Sequence, residues 1–389
     1  MAIDTIDGGV DTSTVIDTMT TLLTGGTTGT TGTDDPTVEP STIVSILNNA
    51  DLVDRSSITQ LVTVSGVDSV TASSRDGAAL VVTDTSRPVT VDGGTAQNKL
   101  IVGNDVAGTQ LNTGTGSGTV VGGDGGSLIG TSATASANDR FSIMAGKGDD
   151  TVIVTNGNNT IAAGSGNNLV GLFGGNNLVY AAGNDTVFAG GGNDTIGAGS
   201  GNTTLVGGSG NATLLGGTGN GLLVGGSGNA VLFAGDGATA AAAPPQGASA
   251  AAGTRTAGSG AVTLMGGAGN SNMIGGAKGD MIVGGSGNST LFGGGGNDTL
   301  VGGTGRSTLY GGTDNNLFVF STVFGGGRAV IGDFGASAGN RLAIQGYGTS
   351  AADLVRNAVT SGGNTAITLG DGTQITLIGF TGLNTSHFV

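Results

Sequence analysis

Acidic side chains recur along this chain at a spacing that could hold a divalent cation. Between residues 145 and 319 a nine-residue unit repeats sixteen times, as in 293–301 (GGGGNDTLV), and its sixth position holds Asp280 and Asp298. If two units form one coil, residues eighteen apart stack directly on each other. Calcium takes several oxygen ligands at about 2.3 to 2.6 Å, from carboxylates and backbone carbonyls. We therefore predict that Asp280 and Asp298 form the best calcium site.

The sixth position also contains weaker candidate ligands. Only five of its sixteen residues are Asp, and an Asn amide oxygen lacks the full charge of a carboxylate. From 203 to 230 the position holds Thr, Ala, Gly and Ala, which predicts a metal-free stretch. The remaining candidate sites place Asp and Asn one coil apart: Asp150 with Asn168, Asn168 with Asp185, and Asn177 with Asp194.

A second interpretation of these turns requires no metal. Stacked asparagines can form ladders of amide hydrogen bonds along a solenoid, and Asn is a favoured turn residue in any case. The sequence therefore leaves two alternatives open for the turns, a calcium site and an amide ladder. The fifth position holds an unbroken series of asparagines: Asn158, Asn167, Asn176, Asn184, Asn193, Asn202, Asn211, Asn220 and Asn229.

The repeat also predicts the elements that must position these side chains. A fixed short period is typical of a solenoid, in which each unit is one turn plus one short strand and buries its apolar side chain by stacking on its neighbours. We predict an all-β fold, a parallel β-roll or β-helix solenoid with a β-rich C-terminal cap. The predicted core is the eighth position, which is apolar in all sixteen units: Val152, Ile161, Val170, Val179, Val187, Ile196, Leu205, Leu214, Leu223, Leu232, Met273, Ile282, Leu291, Leu300, Leu309 and Phe318.

The nine-residue unit resembles the RTX, or hemolysin-type, calcium-binding repeat. The segment from Val330 to Phe388 resembles the C-terminal module of such proteins, which closes the roll and carries an uncleaved signal for type I secretion. The resemblance implies Ca²⁺ as the bound cation and the type I secretion machinery as a partner. It also implies a secreted protein, located outside the cell or at the cell surface.

Composition divides the chain into four predicted parts. Residues 1–57 are a Thr- and Gly-rich extension, and 58–144 contain alternating runs typical of irregular β coils. Residues 145–319 are the nonapeptide roll, interrupted by an Ala- and Pro-containing surface loop at 238–261. Residues 320–389 are the expected cap and secretion signal.

Several classes of protein are disfavoured by composition. The chain has no Cys and a net charge of −15, so disulfides and nucleic-acid partners are not expected. Its first residues lack a basic stretch followed by an apolar run, and no eighteen-residue apolar stretch is present, so we expect neither a cleaved leader nor a membrane span. His387 is the only histidine, and the G-x-S-x-G match at 335–339 precedes no predicted helix. We therefore predict a protein without enzymatic activity.

The ninth position of the unit predicts an interface. Flanking the inward eighth residue, it should point outward, yet it is often apolar. Phe292 and Tyr310 share one predicted face, and contiguous exposed apolar surface usually marks a partner or another part of the chain. Both alternatives remain open, an interface with a second copy and packing beneath the loop or the C-terminal module. The other candidate interface residues are Val283, Val301 and Val319 on the opposite face, with Leu215 and Phe233 earlier in the chain.

Three functions fit these observations. The first is a structural protein of the cell exterior that self-assembles into a sheet or filament, such as an S-layer, biofilm-matrix or filament subunit. The second is a calcium-dependent adhesin or ice-binding protein using stacked Thr pairs, Thr186 with Thr204 and Thr195 with Thr213, with a cell-surface polysaccharide as a candidate partner. The third is the calcium-binding carrier of an exported effector. We favour the first.

Overall fold

The chain folds into an all-β solenoid of parallel stacked coils, which confirms the predicted fold class. The computed structural model describes residues 60–72, 76–82, 86–235, 260–324 and 327–389. The predicted extension at 1–57 and most of the predicted loop at 238–261 lie outside the described residues. Two compact units divide the chain between Val187 and Phe188.

The first unit contains two parallel sheets whose strands alternate along the chain, so that each coil contributes one strand to each sheet. Sheet A of this unit comprises β1 (Gln60–Val64), β3 (Ala78–Val82), β5 (Lys99–Val102), β7 (Ser117–Val121), β9 (Arg140–Met144), β11 (Thr160–Gly164) and β13 (Leu178–Ala181). Sheet B comprises β2 (Ser69–Thr71), β4 (Thr90–Asp92), β6 (Gln110–Asn112), β8 (Leu128–Gly130), β10 (Thr151–Val154) and β12 (Leu169–Leu172), and β14 (Thr186–Phe188) spans the division.

The second unit repeats this arrangement and ends in antiparallel strands. Sheet A here comprises β15 (Asn193–Ala198), β17 (Asn211–Leu215), β19 (Ala230–Phe233), β21 (Ser271–Ile274), β23 (Ser289–Gly294), β25 (Arg306–Gly312), β27 (Arg328–Ile331), β29 (Val359–Ser361), β30 (Asn364–Thr368) and β31 (Gln374–Leu377). Sheet B comprises β16 (Thr203–Val206), β18 (Gly221–Val224), β20 (Thr263–Met265), β22 (Met281–Val283), β24 (Thr299–Val301), β26 (Leu317–Ser321) and β28 (Arg341–Gln345).

The eighth-position side chains form the core, as predicted. All sixteen are fully buried, with exposed fractions of 0 %. Within the regular repeats they stack on counterparts eighteen residues away, as Val152 does on Val170 and Leu291 on Leu309. Fifteen of these sixteen side chains are Val, Ile, Leu or Met, and Phe318 is the one aromatic, so this row needs few large aromatic residues.

The coils before the strict repeat have unequal lengths. Gln60 pairs with Ala78, a separation of eighteen, whereas Ser117 pairs with Arg140, a separation of 23. The strands remain parallel and in register, so the additional residues are accommodated in the turns between them. The turns therefore vary while the ladder of backbone hydrogen bonds is kept.

An insertion in the repeat leaves the register of both sheets unchanged. Leu223 pairs with Leu264 and Leu232 with Met273, separations of 41 instead of eighteen. The additional 23 residues (41 − 18) fall between β19 and β20, and Leu264 continues the buried eighth-position row with an exposed fraction of 0 %. The core on either side of the insertion is therefore continuous.

The C-terminal part ends the parallel stacking. Strand β31 pairs parallel with β27 on one side and antiparallel with β30 on the other, and β29 pairs antiparallel with β30. The helix α1 (Ala351–Asn357) begins at Ser350, whose hydroxyl accepts the backbone N–H of Asp353 at 3.1 Å. Antiparallel strands here occupy the edge that the parallel coils would otherwise leave open.

The prediction that Val283, Val301 and Val319 form an outward-facing row is wrong. Val283, Val301 and Val319 are buried, with exposed fractions of 8, 2 and 8 %, because they stack on each other and on Ala343 in neighbouring strands, with Leu317 packed against this cluster. The ninth-position residues of sheet A differ, since Leu215, Phe233, Phe292 and Tyr310 are half-buried.

Candidate metal centre

The sixth-position side chains face the interior of the solenoid. They lie two residues before the buried eighth position, and residues two apart in a strand point to the same side. The Asp and Asn residues at this position have exposed fractions of 1 to 3 %. These candidate ligands are therefore among the buried polar groups of the described residues.

Asp280 and Asp298 are stacked one coil apart, as the spacing predicts. The backbone N–H of Asp280 donates to Oδ1 of Asp298 at 2.7 Å, and the N–H of Val262 donates to Oδ1 of Asp280 at 2.8 Å. The N–H of Asp298 in turn donates to Oδ1 of Asn316 at 2.9 Å. Side-chain oxygens thus form a buried ladder in which each accepts a hydrogen bond from the preceding coil.

The second carboxylate oxygens of this pair differ in their partners. Oδ2 of Asp280 accepts the backbone N–H of Gly276 at 2.6 Å. Oδ2 of Asp298 is buried and accepts no hydrogen bond from the described residues. A buried anionic oxygen without a donor is unfavourable unless a proton or a cation neutralises it.

Glycine at the first position of the unit makes room for these oxygens. A Cβ atom built on Gly293 would collide with Oδ2 of Asp298, and one built on Gly275 would lie 2.7 Å from Oδ2 of Asp280. Gly294 follows with φ of +110°, a conformation that favours glycine. The turn therefore places backbone groups close around each carboxylate, and the free oxygen, the glycine turn and the neighbouring carboxylate together fit an oxygen-liganded cation.

Burial shifts the acidity of both groups. Burial, opposed by the hydrogen bond from the Asp280 N–H and supported by the negative charges of Asp280 and Asp314, raises the pKa of Asp298 to about 7. Burial also raises the pKa of Asp280, opposed by the hydrogen bonds from Gly276 and Val262. A bound calcium ion would supply the positive charge that lets both carboxylates ionise in this environment.

The first unit holds a similar ladder of mixed composition. The N–H of Asp150 donates to Oδ1 of Asn168 at 2.8 Å, and the N–H and Nδ2 of Asn168 both donate to Oδ1 of Asp185 at 2.8 Å. Asp150 resembles Asp298, because its Oδ2 is buried without a donor among the described residues, and burial raises its pKa to about 7. The structure thus brings together two of the three predicted mixed pairs.

Other sixth-position residues are those of the third mixed pair, Asn177 with Asp194, and those of the stretch 203–230, where this position holds neither Asp nor Asn. Asn177 is buried in the first unit, where its Oδ1 accepts the N–H of Asn159 at 3.2 Å, and Asp194 is buried in the second. Thr203 and Ala212 are equally buried and provide no carboxylate. Among the described residues no three Asp, Glu, His or Cys side chains converge. Any cation here would be held by one or two carboxylates supplemented by carbonyl oxygens.

The amide ladder that the fifth position predicted is also present. The N–H of Asn176 donates to Oδ1 of Asn158 at 3.1 Å, and Nδ2 of Asn211 donates to Oδ1 of Asn193 at 2.8 Å. Asn176, Asn193 and Asn211 are exposed and Asn158 is half-buried, whereas the sixth-position ladder is buried. The two interpretations of the turns are therefore compatible, because each concerns a different row of side chains.

A buried lysine in the coils before the repeats was not anticipated. Lys99 is 1 % exposed, and its Nζ donates to the carbonyl oxygens of Gly94, Thr113 and Thr115 at 3.1, 2.8 and 2.7 Å. Burial lowers its pKa to about 8, opposed first by the charge of Asp139. The ammonium group donates hydrogen bonds to carbonyl oxygens of two neighbouring turns, which a metal cation could otherwise bind. Lys99 begins the apolar run KLIV, which gives no indication of these three acceptors.

The G-x-S-x-G match lacks the geometry of a nucleophile elbow. Ser337 follows a short 3-10 helix and precedes strand β28, whereas the elbow joins a strand to a helix. Its hydroxyl donates to Oδ1 of Asn315 at 2.9 Å. His387 instead packs edge-on against Phe334 and Phe380. Its Nδ1 accepts the N–H of Asn384 at 3.1 Å.

Comparison with solved structures finds a distant similarity to a secreted enzyme. The crystal structure of extracellular lipase LipA from Serratia marcescens matches 61 % of this chain with 17 % sequence identity and a TM-score of 0.21. The chain spans 40 % of the length of that lipase, and a similarity this weak carries no argument about activity. No match was found among curated protein sequences. Within the described ranges, no helix is long and apolar enough to cross a membrane.

Comparison with protein families identifies the repeat. The model of the RTX calcium-binding nonapeptide repeat matches residues 142–170, 171–205, 206–239, 274–309 and 292–320. These ranges contain all seven of the candidate ligands at the sixth position, including Asp280 and Asp298. Residues 142–239 and 274–320 of this chain therefore match RTX calcium-binding nonapeptide repeats.

Proposed function

We propose that this protein is a secreted, calcium-binding structural protein that self-assembles outside the cell, as an S-layer, biofilm-matrix or filament subunit. RTX repeats are calcium-binding and are typical of secreted proteins, which supports the first half of the proposal. The observation that supports self-assembly is a row of apolar side chains in register on the outer face of sheet A in the second unit: Leu215, Phe233, Ile274, Phe292 and Tyr310.

This row has the properties of a side-to-side contact between copies. Its members are half-buried, so part of each side chain remains in contact with water. The rings of Phe292 and Tyr310 stack with centroids 4.8 Å apart and an interplanar angle of 6°, which gives the row a regular surface. A second copy carries the same row with the same repeat, so one contact can be repeated along several coils.

Changing Phe292 to Ser and Tyr310 to Thr together should abolish assembly while the fold survives. Burying one such side chain at an interface contributes about 1.5 to 3 kcal/mol, and several in a row could offset the entropic cost of association. Sedimentation and electron microscopy measure the assemblies, and circular dichroism measures the fold. The matched control changes Thr290 and Thr308 of the adjacent row to Val. Assemblies that persist in the double variant would show that the row is not the contact.

We also propose that the C-terminal part carries the export signal. Removing residues 379–389, which follow β31, should leave the chain inside the cell, because residues 330–388 resemble a C-terminal module that carries an uncleaved type I secretion signal. The control is Phe380→Ala, which weakens packing on Phe334 but keeps the other ten residues of the removed segment. Immunoblots of medium and cells measure export. Appearance of the shortened chain in the medium at the wild-type level would place the signal elsewhere.

Calcium binding and assembly can be separated experimentally. Electron microscopy of secreted material with calcium and with chelator tests whether sheets or filaments exist and whether they depend on the metal. The carrier alternative has less support, because residues 60–144 form strands β1 to β9 of the solenoid and no separate folded domain appears within that described segment. Monodisperse monomers in both conditions would contradict self-assembly.

A further inference from the structure

A long polar trough runs along the outer face of sheet A in the second unit. Its volume is about 840 Å³, and it crosses strands β15, β17, β19, β21, β23 and β25. Six strands at a spacing of about 4.8 Å give a length of about 24 Å. The fifth- and seventh-position side chains form its two walls, about 7 Å apart along each strand.

The walls present hydrogen-bonding groups that the protein itself leaves free. Thr195 stacks on Thr213 and Thr290 on Thr308, and none of these four hydroxyls has a hydrogen-bond partner in the described parts of the chain. On the other wall, Oδ1 of Asn270 accepts the N–H of Asn288 at 2.9 Å. The Nδ2 groups of both asparagines have no acceptor among the described residues. These groups recur once per coil and can both donate and accept hydrogen bonds.

The trough ends at a pair of arginines. Arg306 and Arg328 occupy adjacent strands in register, both are exposed, and neither has an ion-pair partner among the residues described. A second cavity of about 440 Å³ adjoins the first, shares Asn288 and Arg306 with it, and adds Arg328. The only acidic residue lining the first cavity is the buried Asp194, and the exposed Asp371 lines the second. On a protein of net charge −15, this face is unusually poor in negative charge.

We propose that the trough binds an extended acidic polysaccharide, with a sugar carboxylate or sulfate at Arg306 and Arg328. The length and narrow width suit a linear polymer, and the rows of hydroxyls and amides suit sugar hydroxyls. Guanidinium groups recognise carboxylates and sulfates through paired, charge-assisted hydrogen bonds. Nucleic acid fits less well, because binding a phosphate backbone requires clustered Lys and Arg along the groove, and the basic residues lining these two cavities are Arg306 and Arg328 at one end. This proposal does not rest on the proposed self-assembly.

Calorimetry with short oligogalacturonate, which does not gel with calcium, tests the proposal on the full-length protein at fixed calcium. Dextran sulfate provides the sulfated probe and dextran the uncharged one. We expect oligogalacturonate or dextran sulfate to bind and dextran to bind far more weakly. Arg306→Gln and Arg328→Gln should each weaken binding by about tenfold, as expected for the loss of one charged hydrogen-bonding group. The control Arg356→Gln makes the same charge change on the exposed helix α1 and should leave binding unchanged.

A double variant tests the contribution of the threonine wall separately from that of the arginines. Thr290→Val with Thr308→Val keeps the shape of the side chains and removes two hydroxyls, so it should weaken binding of every charged probe while circular dichroism is unchanged. Equal losses in Arg356→Gln would show non-specific attraction and overturn the site. Absence of binding to both charged probes, or equal binding of dextran, would overturn an acidic polysaccharide as the occupant.

Discussion

Replacing Asp298 by Asn should remove most of the stabilisation that calcium gives to residues 275–319. Asn already occupies this position one coil further on, where Oδ1 of Asn316 accepts the N–H of Asp298 at 2.9 Å. The substitution should therefore keep the hydrogen bond from Asp280 and delete only the charge. A ligand at a hundredfold excess over its Kd stabilises the native state by about 2.7 kcal/mol. Hydrogen exchange with and without calcium measures this gain segment by segment.

Two further variants test whether the loss of the calcium response is specific to the carboxylate of Asp298. Asp298→Ala also removes the calcium response, but it leaves the buried N–H of Asp280 without its acceptor, which should cost about 1 to 3 kcal/mol even in chelator. Asp353→Asn makes the same charge change as Asp298→Asn on the exposed helix α1 and should keep the full response. If calcium protects residues 275–319 equally in the wild type and in Asp298→Asn, the site lies elsewhere.

In chelator, the protein should become less stable as the pH rises from about 4 to about 7. Burial raises the pKa of Asp150 and of Asp298 from 3.8 to about 7, so the folded chain holds both protons more tightly than the unfolded chain does. The resulting stabilisation is complete below pH 3.8 and is lost as the pH rises through about 7. Each group contributes at most about 4 kcal/mol by this route. Thermal unfolding across this range measures the slope.

Calcium should have the opposite pH dependence at the same carboxylates. The metal binds the ionised form, so its stabilising effect should grow over the window in which the protons are released. The double variant Asp150→Asn with Asp298→Asn has no proton to lose at either position and should show a flatter curve in chelator. Equal slopes for the wild type and the double variant would contradict the assignment of the pH dependence to these two groups.

The period of the sequence was sufficient to predict the core and its register. Residues eighteen apart stack, and every eighth-position side chain is buried, because a fixed repeat leaves one consistent way to pair coils. The same rule of alternation, applied two residues earlier, would have shown that Asp298 faces inward. Ligand spacing alone predicts which carboxylates stack, whereas strand alternation also predicts that they are buried.

Other features depend on packing that no repeat specifies. Val301 follows the same ninth-position pattern as Tyr310, yet Val301 is buried and Tyr310 is half-buried. The difference arises from the neighbours that each sheet places around the side chain, such as Ala343 and Leu317 beside the valines. Lys99 shows the same limitation, because its three carbonyl acceptors come from turns of unequal length.

The insertion between β19 and β20 marks a position at which a foreign peptide or domain could be inserted into the solenoid. The chain leaves the ladder after Phe233 and returns at Thr263 with both sheets in unshifted register, so coil geometry does not set the length of the segment between them. The entropic cost of closing a loop grows only slowly with its length, by about 0.6 kcal/mol for each doubling. Foreign peptides or whole domains could therefore replace this segment, and an assembled sheet or filament would display them at a regular spacing.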